Sequence, residues 1–125
     1  MVIFGLGFGM NFSVWWYDIP EHMLGGAFCA VFFYYLFFER YKILGTDIKI
    51  IPAIILSLGF VALIGVVWEF YEFFTDFYFS SVYSFPSYYG LGHFGQSGIF
   101  DTIKDLQNDL FGGLIASLLI YLKLK

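Results

Sequence analysis

The sequence predicts an all-α membrane protein, a polytopic helix bundle with three long spanning helices and a probable fourth helix at the N-terminus. Of its 125 residues, 60% are hydrophobic and only 13% are charged, whereas soluble domains carry roughly 25% charged residues. The apolar residues also form runs long enough to cross a hydrocarbon core about 30 Å thick. A chain of this length forms one domain, 1–125, and a soluble fold of that size could not bury 18 Phe, 10 Tyr and 3 Trp.

The same composition excludes several classes of protein. A net charge of −4 argues against a nucleic-acid-binding protein, and the high apolar content argues against disorder. Cys29 is the only cysteine, so an internal disulfide is impossible; we interpret it as a small packing residue.

The predicted helices cover about residues 2–17, 20–38, 50–78 and 101–122. The first is apolar but short, and Gly5, Gly7 and Gly9 weaken it. It is therefore either a fourth spanning helix or the arm of a membrane-embedded hairpin.

Clear boundaries delimit the other three helices. The second ends at a polar stretch, 39–42, and the third begins with no charge from Ile50 to Trp68. The last is apolar only from Leu110 onward. Residues 80–99 are rich in Gly, Ser, Pro and Tyr, which predicts an extramembrane loop lying on the interface.

Charge is distributed unequally between the two faces that these helices define. One face receives five of the six basic residues, so the positive-inside rule makes it cytoplasmic: Arg40, Lys42, Lys49, Lys123 and Lys125. The opposite face receives eight of the ten acidic residues: Asp18, Glu21, Glu69, Glu72, Asp76, Asp101, Asp105 and Asp109. We therefore expect a protein of the cell (inner or plasma) membrane with both termini cytoplasmic and an extracytoplasmic acidic site.

Asp18 and His22 open the second predicted helix four residues apart, which places them on one helix face. A carboxylate in that position can fix the tautomer of a metal-binding histidine. Asp18 followed by Pro20 and Glu21 is equally typical of a helix N-cap with a capping box, and a lone histidine at an interface is commonly a hydrogen-bonded surface residue.

Glu69 and Glu72 are three residues apart on one helix face, where like charges repel unless a cation or a shared proton neutralises them. A solvated helix end, anchored at the interface by Trp68, is the plainer interpretation.

Asp101, Asp105 and Asp109 recur every four residues along the start of the last helix. Only 13 residues follow Asp109 before Lys123, too few to span a bilayer, so Asp105 and Asp109 must enter the membrane. A carboxylate there costs about 2.5–3.5 kcal/mol on insertion scales, which indicates a function or a partner. Asp101 alone is compatible with a helix cap, and a buried polar network would also account for the other two.

Two glycine pairs, Gly25-Gly26 and Gly112-Gly113, lie one turn deeper than the acidic motifs on their helices. Small residues let helices approach closely, which would bring the carboxylates together.

The order D-x-x-x-H-x-x-G, W-E-x-x-E and D-x-x-x-D-x-x-x-D-x-x-G resembles the YjdF-like small bacterial and archaeal inner-membrane proteins and, more distantly, the VanZ-like family. The resemblance extends over roughly residues 18–116. VanZ-like proteins tend to have Asn at the Asp109 position and a neutral side chain near Glu72, so this site is more acidic. The resemblance implies a compact polytopic bundle with polar motifs near one face, and no established reaction.

The sequence therefore suggests a divalent-metal site, with Mg²⁺ or Mn²⁺ if oxygen ligands dominate and Zn²⁺ or Fe²⁺ if a histidine binds. The expected ligands are His22, Glu69, Glu72, Asp101, Asp105 and Asp109. Asp109 and His22 are the candidate catalytic groups, and Asp18 would support His22 from behind. Such a site would suit a metal-dependent membrane hydrolase or transferase acting on a lipid or lipid-linked head group.

Two alternatives stay open: a cation or proton pathway, and a structural or accessory membrane protein whose carboxylates share protons with His22 and Lys104. The expected partners are membrane lipids and, in an oligomer, further copies of the chain; nucleic acid is not expected.

The charge distribution makes a direct prediction about topology. A fluorescent protein fused after Lys125 should fluoresce, because the C-terminus is expected in the cytoplasm, and alkaline phosphatase fused at the same position should be inactive. Active phosphatase with a dark fluorescent fusion would reverse the assignment of the two faces.

Overall fold

The computed structural model describes residues 18–45, 48–83 and 99–123. Helix α1 spans Asp18–Tyr34 and continues as a π-helix over Tyr35–Arg40; α2 spans Ile50–Tyr83 and α3 spans Ile99–Lys123. The described residues contain no strand, in agreement with the predicted all-α class. The predicted helix over 2–17 lies outside the described residues, as does most of the predicted loop, although α2 continues to Tyr83.

Within the part of the chain that the structure describes, two helical segments are long and apolar enough to cross a membrane, by length and composition: Asp18–Arg40, with 23 residues, and Ile50–Thr75, with 26 residues. The third expected span, α3, has 25 residues but is less apolar, because Asp101, Lys104, Asp105 and Asp109 all lie in its first half. The 34 residues of α2 extend about 51 Å at 1.5 Å per residue, so this helix is longer than a bilayer core is thick.

Local sequence explains where α1 begins and ends. Pro20 lies in the first turn, where its missing N–H breaks no helical bond, and the carboxylates of Asp18 and Glu21 face the positive end of the helix dipole. At the other end the backbone widens, and the N–H of Tyr41 donates to the carbonyl of Leu36, 2.9 Å away. Lys42 then adopts a left-handed φ of 50°, which turns the chain away from the helix axis.

The three helices alternate in direction, and α3 packs between α1 and α2, which meet each other least. His22 of α1 lies beside Asp105 and Asp109 of α3, so these two helices start at the same end. Val61 and Ser57 of α2 meet Gly113 and Ser117 respectively, so α2 runs the opposite way. We call the end of the bundle where α1 and α3 begin the acidic end.

Glycines allow α1 and α3 to pack backbone against backbone. A Cβ atom at Gly26 would overlap the carbonyl group of Asp109, and one at Gly112 would overlap the carbonyl group of Met23. These reciprocal contacts act as the small residues of membrane helix interfaces do. The glycine pairs therefore set the helix separation that brings His22 against the aspartates, as the sequence predicted.

Away from the acidic end the contacts are mostly apolar. Ala30, Val61 and Ala116 form a small buried cluster, and the Ser117 hydroxyl donates to the Ser57 hydroxyl over 2.9 Å between two fully buried side chains. Aromatic rings pack around Phe33 and Phe60, whose centroids lie 5.6 Å apart. This half of the bundle holds the helices in place with uncharged groups.

The close approach predicts a position-specific response to adding one methyl group. We expect Gly26→Ala to lower the free energy of unfolding by about 1–3 kcal/mol, the usual cost of overpacking. Gly59→Ala is the matched control, because a Cβ at Gly59 meets nothing within 4 Å. It should be neutral or stabilising by up to about 1 kcal/mol through helix propensity. Thermal unfolding in detergent measures both variants, and equal effects would contradict this packing.

Candidate functional site

His22 occupies the centre of a buried group of side chains at the acidic end. Its ring is 7% exposed, and one carboxylate from α1 and two from α3 surround it. The Nε2 atom lies 3.5 Å from Oδ1 of Asp18 and 3.8 Å from Oδ2 of Asp105. The Nδ1 atom lies 3.2 Å from Oδ1 of Asp109. Each ring nitrogen therefore has a distinct set of carboxylate neighbours.

The contact with Asp109 determines how the imidazole is presented. When Asp109 is ionised it can only accept hydrogen bonds, and Nδ1–H of His22 then donates to its Oδ1. In a neutral ring this leaves the lone pair on Nε2, which faces Asp18 and Asp105. A histidine held by a carboxylate through one nitrogen, with the other nitrogen free to bind, is the usual arrangement at protein metal sites.

One ligand atom from each of Asp18, His22 and Asp105 lies within 4.8 Å of the others. These three residues, which we call the triad, come from two different helices. Asp105 is 1% exposed. The spacing of the side chains would allow a single cation to contact all three.

The triad contains two of the expected ligands, His22 and Asp105, together with Asp18. Asp18 was expected to support His22 from behind, and Asp109 was expected among the ligands. The distances place Asp18 beside Asp105 on the Nε2 side of His22, with Asp109 on the Nδ1 side. The spacings along α1 and α3 give no information on which ring nitrogen faces which carboxylate, because that depends on the rotation of the two helices about their axes.

Lys104 provides a positive charge at the edge of the triad. Its ammonium nitrogen lies 2.7 Å from Oδ1 of Asp101, 2.8 Å from Oδ2 of Asp18 and 3.5 Å from Oδ1 of Asp105. Asp101, an expected ligand, is thus an ion-pair partner of Lys104. The lysine is 40% exposed, so water screens its charge in part.

Glu69 and Glu72 lie on the inner face of α2, at 4% and 6% exposure, which excludes the solvated helix end that was the plainer interpretation of this motif. The indole N–H of Trp68 donates to Oε1 of Glu72 over 2.8 Å. Among the described residues, Oε2 of Glu72 has no hydrogen-bond partner. Glu72 nevertheless lies near enough to interact electrostatically with His22 and Asp18. Glu72 therefore lies near the triad, and neither glutamate belongs to it.

Glycines on two helices leave room for the Asp109 carboxylate. A Cβ atom at Gly65 of α2 would lie 2.8 Å from Oδ2 of Asp109, and one at Gly25 of α1 would lie 3.8 Å from Oδ1. A larger residue at Gly65 would displace the carboxylate from His22. No motif at this position of α2 pointed to this contact.

The arrangement is chemically suited to holding positive charge. Buried carboxylates are costly unless paired or bound to metal, and here several surround one imidazole and one ammonium. Two carboxylates and an imidazole nitrogen are ligands that Mn²⁺, Fe²⁺ and Zn²⁺ accept. A bound cation of this kind lowers the pKa of water and polarises phosphoryl or carbonyl oxygens.

Comparison with known proteins gives one finding about family. No curated protein and no solved structure matches this chain. The model of the family described as "Predicted membrane protein (DUF2238)" matches residues 2–125. That match supports the membrane assignment reached from composition and from the two apolar spans. The chain therefore belongs to the DUF2238 family of membrane proteins.

Proposed function

We propose that this membrane protein binds a divalent cation between Asp18, His22 and Asp105. The observation that supports it best is the orientation of His22, whose Nδ1 atom is held by Asp109 while Nε2 faces the other two side chains. A neutral imidazole held in this way leaves the Nε2 lone pair for a cation, whereas an imidazolium donating from both nitrogens would belong to a structural network of ion pairs. Here Asp109 is a positioning residue, because it acts through the ring of His22.

The donor set favours particular metals. One imidazole nitrogen and two carboxylate oxygens suit Mn²⁺, Fe²⁺ or Zn²⁺ better than Mg²⁺, which retains several waters and prefers oxygen ligands. Water molecules would complete the coordination. Oε2 of Glu72, buried and without a hydrogen-bond partner among the described residues, is an acceptor that a metal-bound water would satisfy.

We further propose that the cation acts on a lipid or lipid-linked head group. Two residues of the triad, Asp18 and His22, lie at the start of a segment that is apolar enough to span a membrane, so a head group could reach the triad from the bilayer surface. A metal there would bind a phosphate oxygen and activate water for hydrolysis or transfer. The proposed placement at the extracytoplasmic face rests on the distribution of basic residues, and kinship with YjdF-like proteins rests on the motifs alone.

A second candidate function is structural, and the position of Lys104 favours it. Its ammonium contacts three carboxylates, so the chain already carries a cation that offsets part of their repulsion. In this alternative the buried charges hold α1 to α3, and no metal is required. The two functions differ in the effect that removing the lysine would have on metal affinity and on stability.

Metal content and the response to Lys104→Met distinguish them. We expect purified wild type, incubated with Mn²⁺ or Zn²⁺ and then gel-filtered, to retain about one ion per chain. Asp105→Asn should weaken metal binding at least about tenfold. Even mutation of a residue that only hydrogen-bonds to a metal ligand typically lowers metal affinity about 10–100-fold. Lys104→Met should tighten binding, because it removes a competing positive charge next to Asp18 and Asp105.

Glu39→Gln is the control variant, because Glu39 is exposed near the end of α1 remote from the triad and should leave metal binding unchanged. Inductively coupled plasma mass spectrometry and isothermal titration give content and affinity, and melting temperatures establish that each variant is folded. A wild type without bound metal, together with a Lys104→Met variant that melts lower and binds none, would reject the metal site and favour the structural function.

A further inference from the structure

We propose that the groove between α1 and α2 binds one acyl chain of a membrane phospholipid, with the phosphate of that lipid at the acidic end. The groove and its occupant are argued from their own geometry. Only the position of the phosphate rests on the proposed metal function.

The groove exists because α3 packs between the other two helices and separates them. It encloses about 590 Å³, within the roughly 300–1,000 Å³ of ordinary ligand pockets. On α1 its wall runs from Pro20 to Cys29, a rise of about 14 Å at 1.5 Å per residue. On α2 it runs from Trp68 to Val61, in the opposite direction along the chain. The space is therefore long and parallel to the helices.

Polarity changes from one end of the groove to the other. The acidic end is lined by Glu21, His22 and the indole of Trp68, and the Asp109 carboxylate forms part of the lining. The opposite end is lined by Phe28, Cys29 and Val61. A ligand that fits this gradient has a polar head and a hydrocarbon tail.

The groove opens sideways, toward the space that lipid would fill. Leu24 and Phe28 on one wall are 71% and 69% exposed, and Ile64 on the other wall is 39% exposed. All three belong to the two segments that qualify as membrane spans. The described residues at this opening are apolar, so hydrocarbon could enter between them, whereas a water-soluble ligand would meet an apolar surface.

Gly25 leaves space in the wall of the groove. A Cβ atom at this residue would lie 3.8 Å from Oδ1 of Asp109, and both residues line the groove. A larger side chain at residue 25 would therefore occupy groove volume beside Asp109.

The orientation of the gradient matches that of a lipid in one leaflet of the bilayer. The polar end lies at the start of α1, and the apolar end lies near the middle of both apolar segments. A phospholipid could therefore move from the leaflet into the groove without turning over. Its phosphate would then lie beside the triad, where a divalent cation would offset the repulsion from the surrounding carboxylates.

The test uses phosphatidylethanolamine with a diazirine in the middle of one acyl chain, mixed into vesicles that contain the full chain. After irradiation, mass spectrometry should find lipid adducts on Cys29 and Ile64, which line the groove. Adducts on Leu63, which is 59% exposed and is not among the residues that line this groove, report ordinary contact with the bilayer. We expect Gly25→Leu to reduce the ratio of groove adducts to Leu63 adducts by at least about tenfold, the equivalent of one decade in binding.

Gly59→Leu is the matched control, since it adds the same side chain to a spanning helix where nothing lies within 4 Å; it should leave the ratio unchanged. Ile64→Trp fills the groove from the other wall and should lower labelling of Cys29 even if Gly25→Leu folds poorly. Unchanged ratios in both groove variants would overturn the proposal. Benzoylphenylalanine at position 28 should cross-link to lipid, and cross-links to residues 1–17 or to a second copy of the chain would overturn it instead.

Metal content measured on the same samples separates this inference from the proposed function. Groove labelling in a protein that holds no metal would remove the metal function and leave the lipid groove standing. Bound metal without selective groove labelling would remove the lipid groove and leave the metal function standing.

Discussion

Carboxylates buried among apolar helices must be compensated, and most of this structure depends on that requirement. Each acidic side chain placed at membrane depth costs about 2.5–3.5 kcal/mol on insertion scales, and Asp105 and Asp109 are both buried in α3. Among the described residues, the ammonium of Lys104 meets three carboxylates, and the ring of His22 meets three as well. Both side chains lie at the acidic end.

This compensation depends on how closely two helices approach. Gly26 and Gly112 let α1 and α3 meet along their backbones, and only at that separation does His22 reach both Asp105 and Asp109. Because α3 packs between α1 and α2, it also separates these two helices and leaves the groove between them. The charged site and the apolar groove are therefore two results of one packing arrangement, and Asp109 contributes to both.

Much of this arrangement could be predicted from sequence, because it depends on spacing along a single helix. The recurrence of Asp101, Asp105 and Asp109 placed them on one face of the last helix, and the glycine pairs indicated close packing. Contacts between helices could not be predicted in detail. Their partners depend on helix rotation, which is why the position of Asp18 on the Nε2 side of His22 and the contact of Gly65 with Asp109 were not expected.

The ends of the helices likewise differ in how well the sequence predicted them. Strong local signals, such as Pro20 after Asp18, allowed the start of α1 to be predicted closely. The expected helix begins at about residue 20, and the observed helix begins at Asp18. The loop expected from residue 80 was inferred from Gly, Ser and Tyr content, yet the α2 backbone stays helical to Tyr83, because composition fixes the end of a helix only weakly. The burial of Glu69 and Glu72 likewise depends on the face of α2 that meets the bundle, which the sequence did not specify.

Pulsed electron paramagnetic resonance on the Mn²⁺-loaded protein is the most direct test that His22 binds the cation through Nε2. A directly bound imidazole gives a nitrogen modulation in the Mn²⁺ echo. The structure predicts this modulation in wild type, its loss in His22→Gln, and its retention with weaker Mn²⁺ affinity in Asp109→Asn, because Asp109 only positions the ring. Bound Mn²⁺ without any nitrogen modulation in the wild type would contradict the central claim.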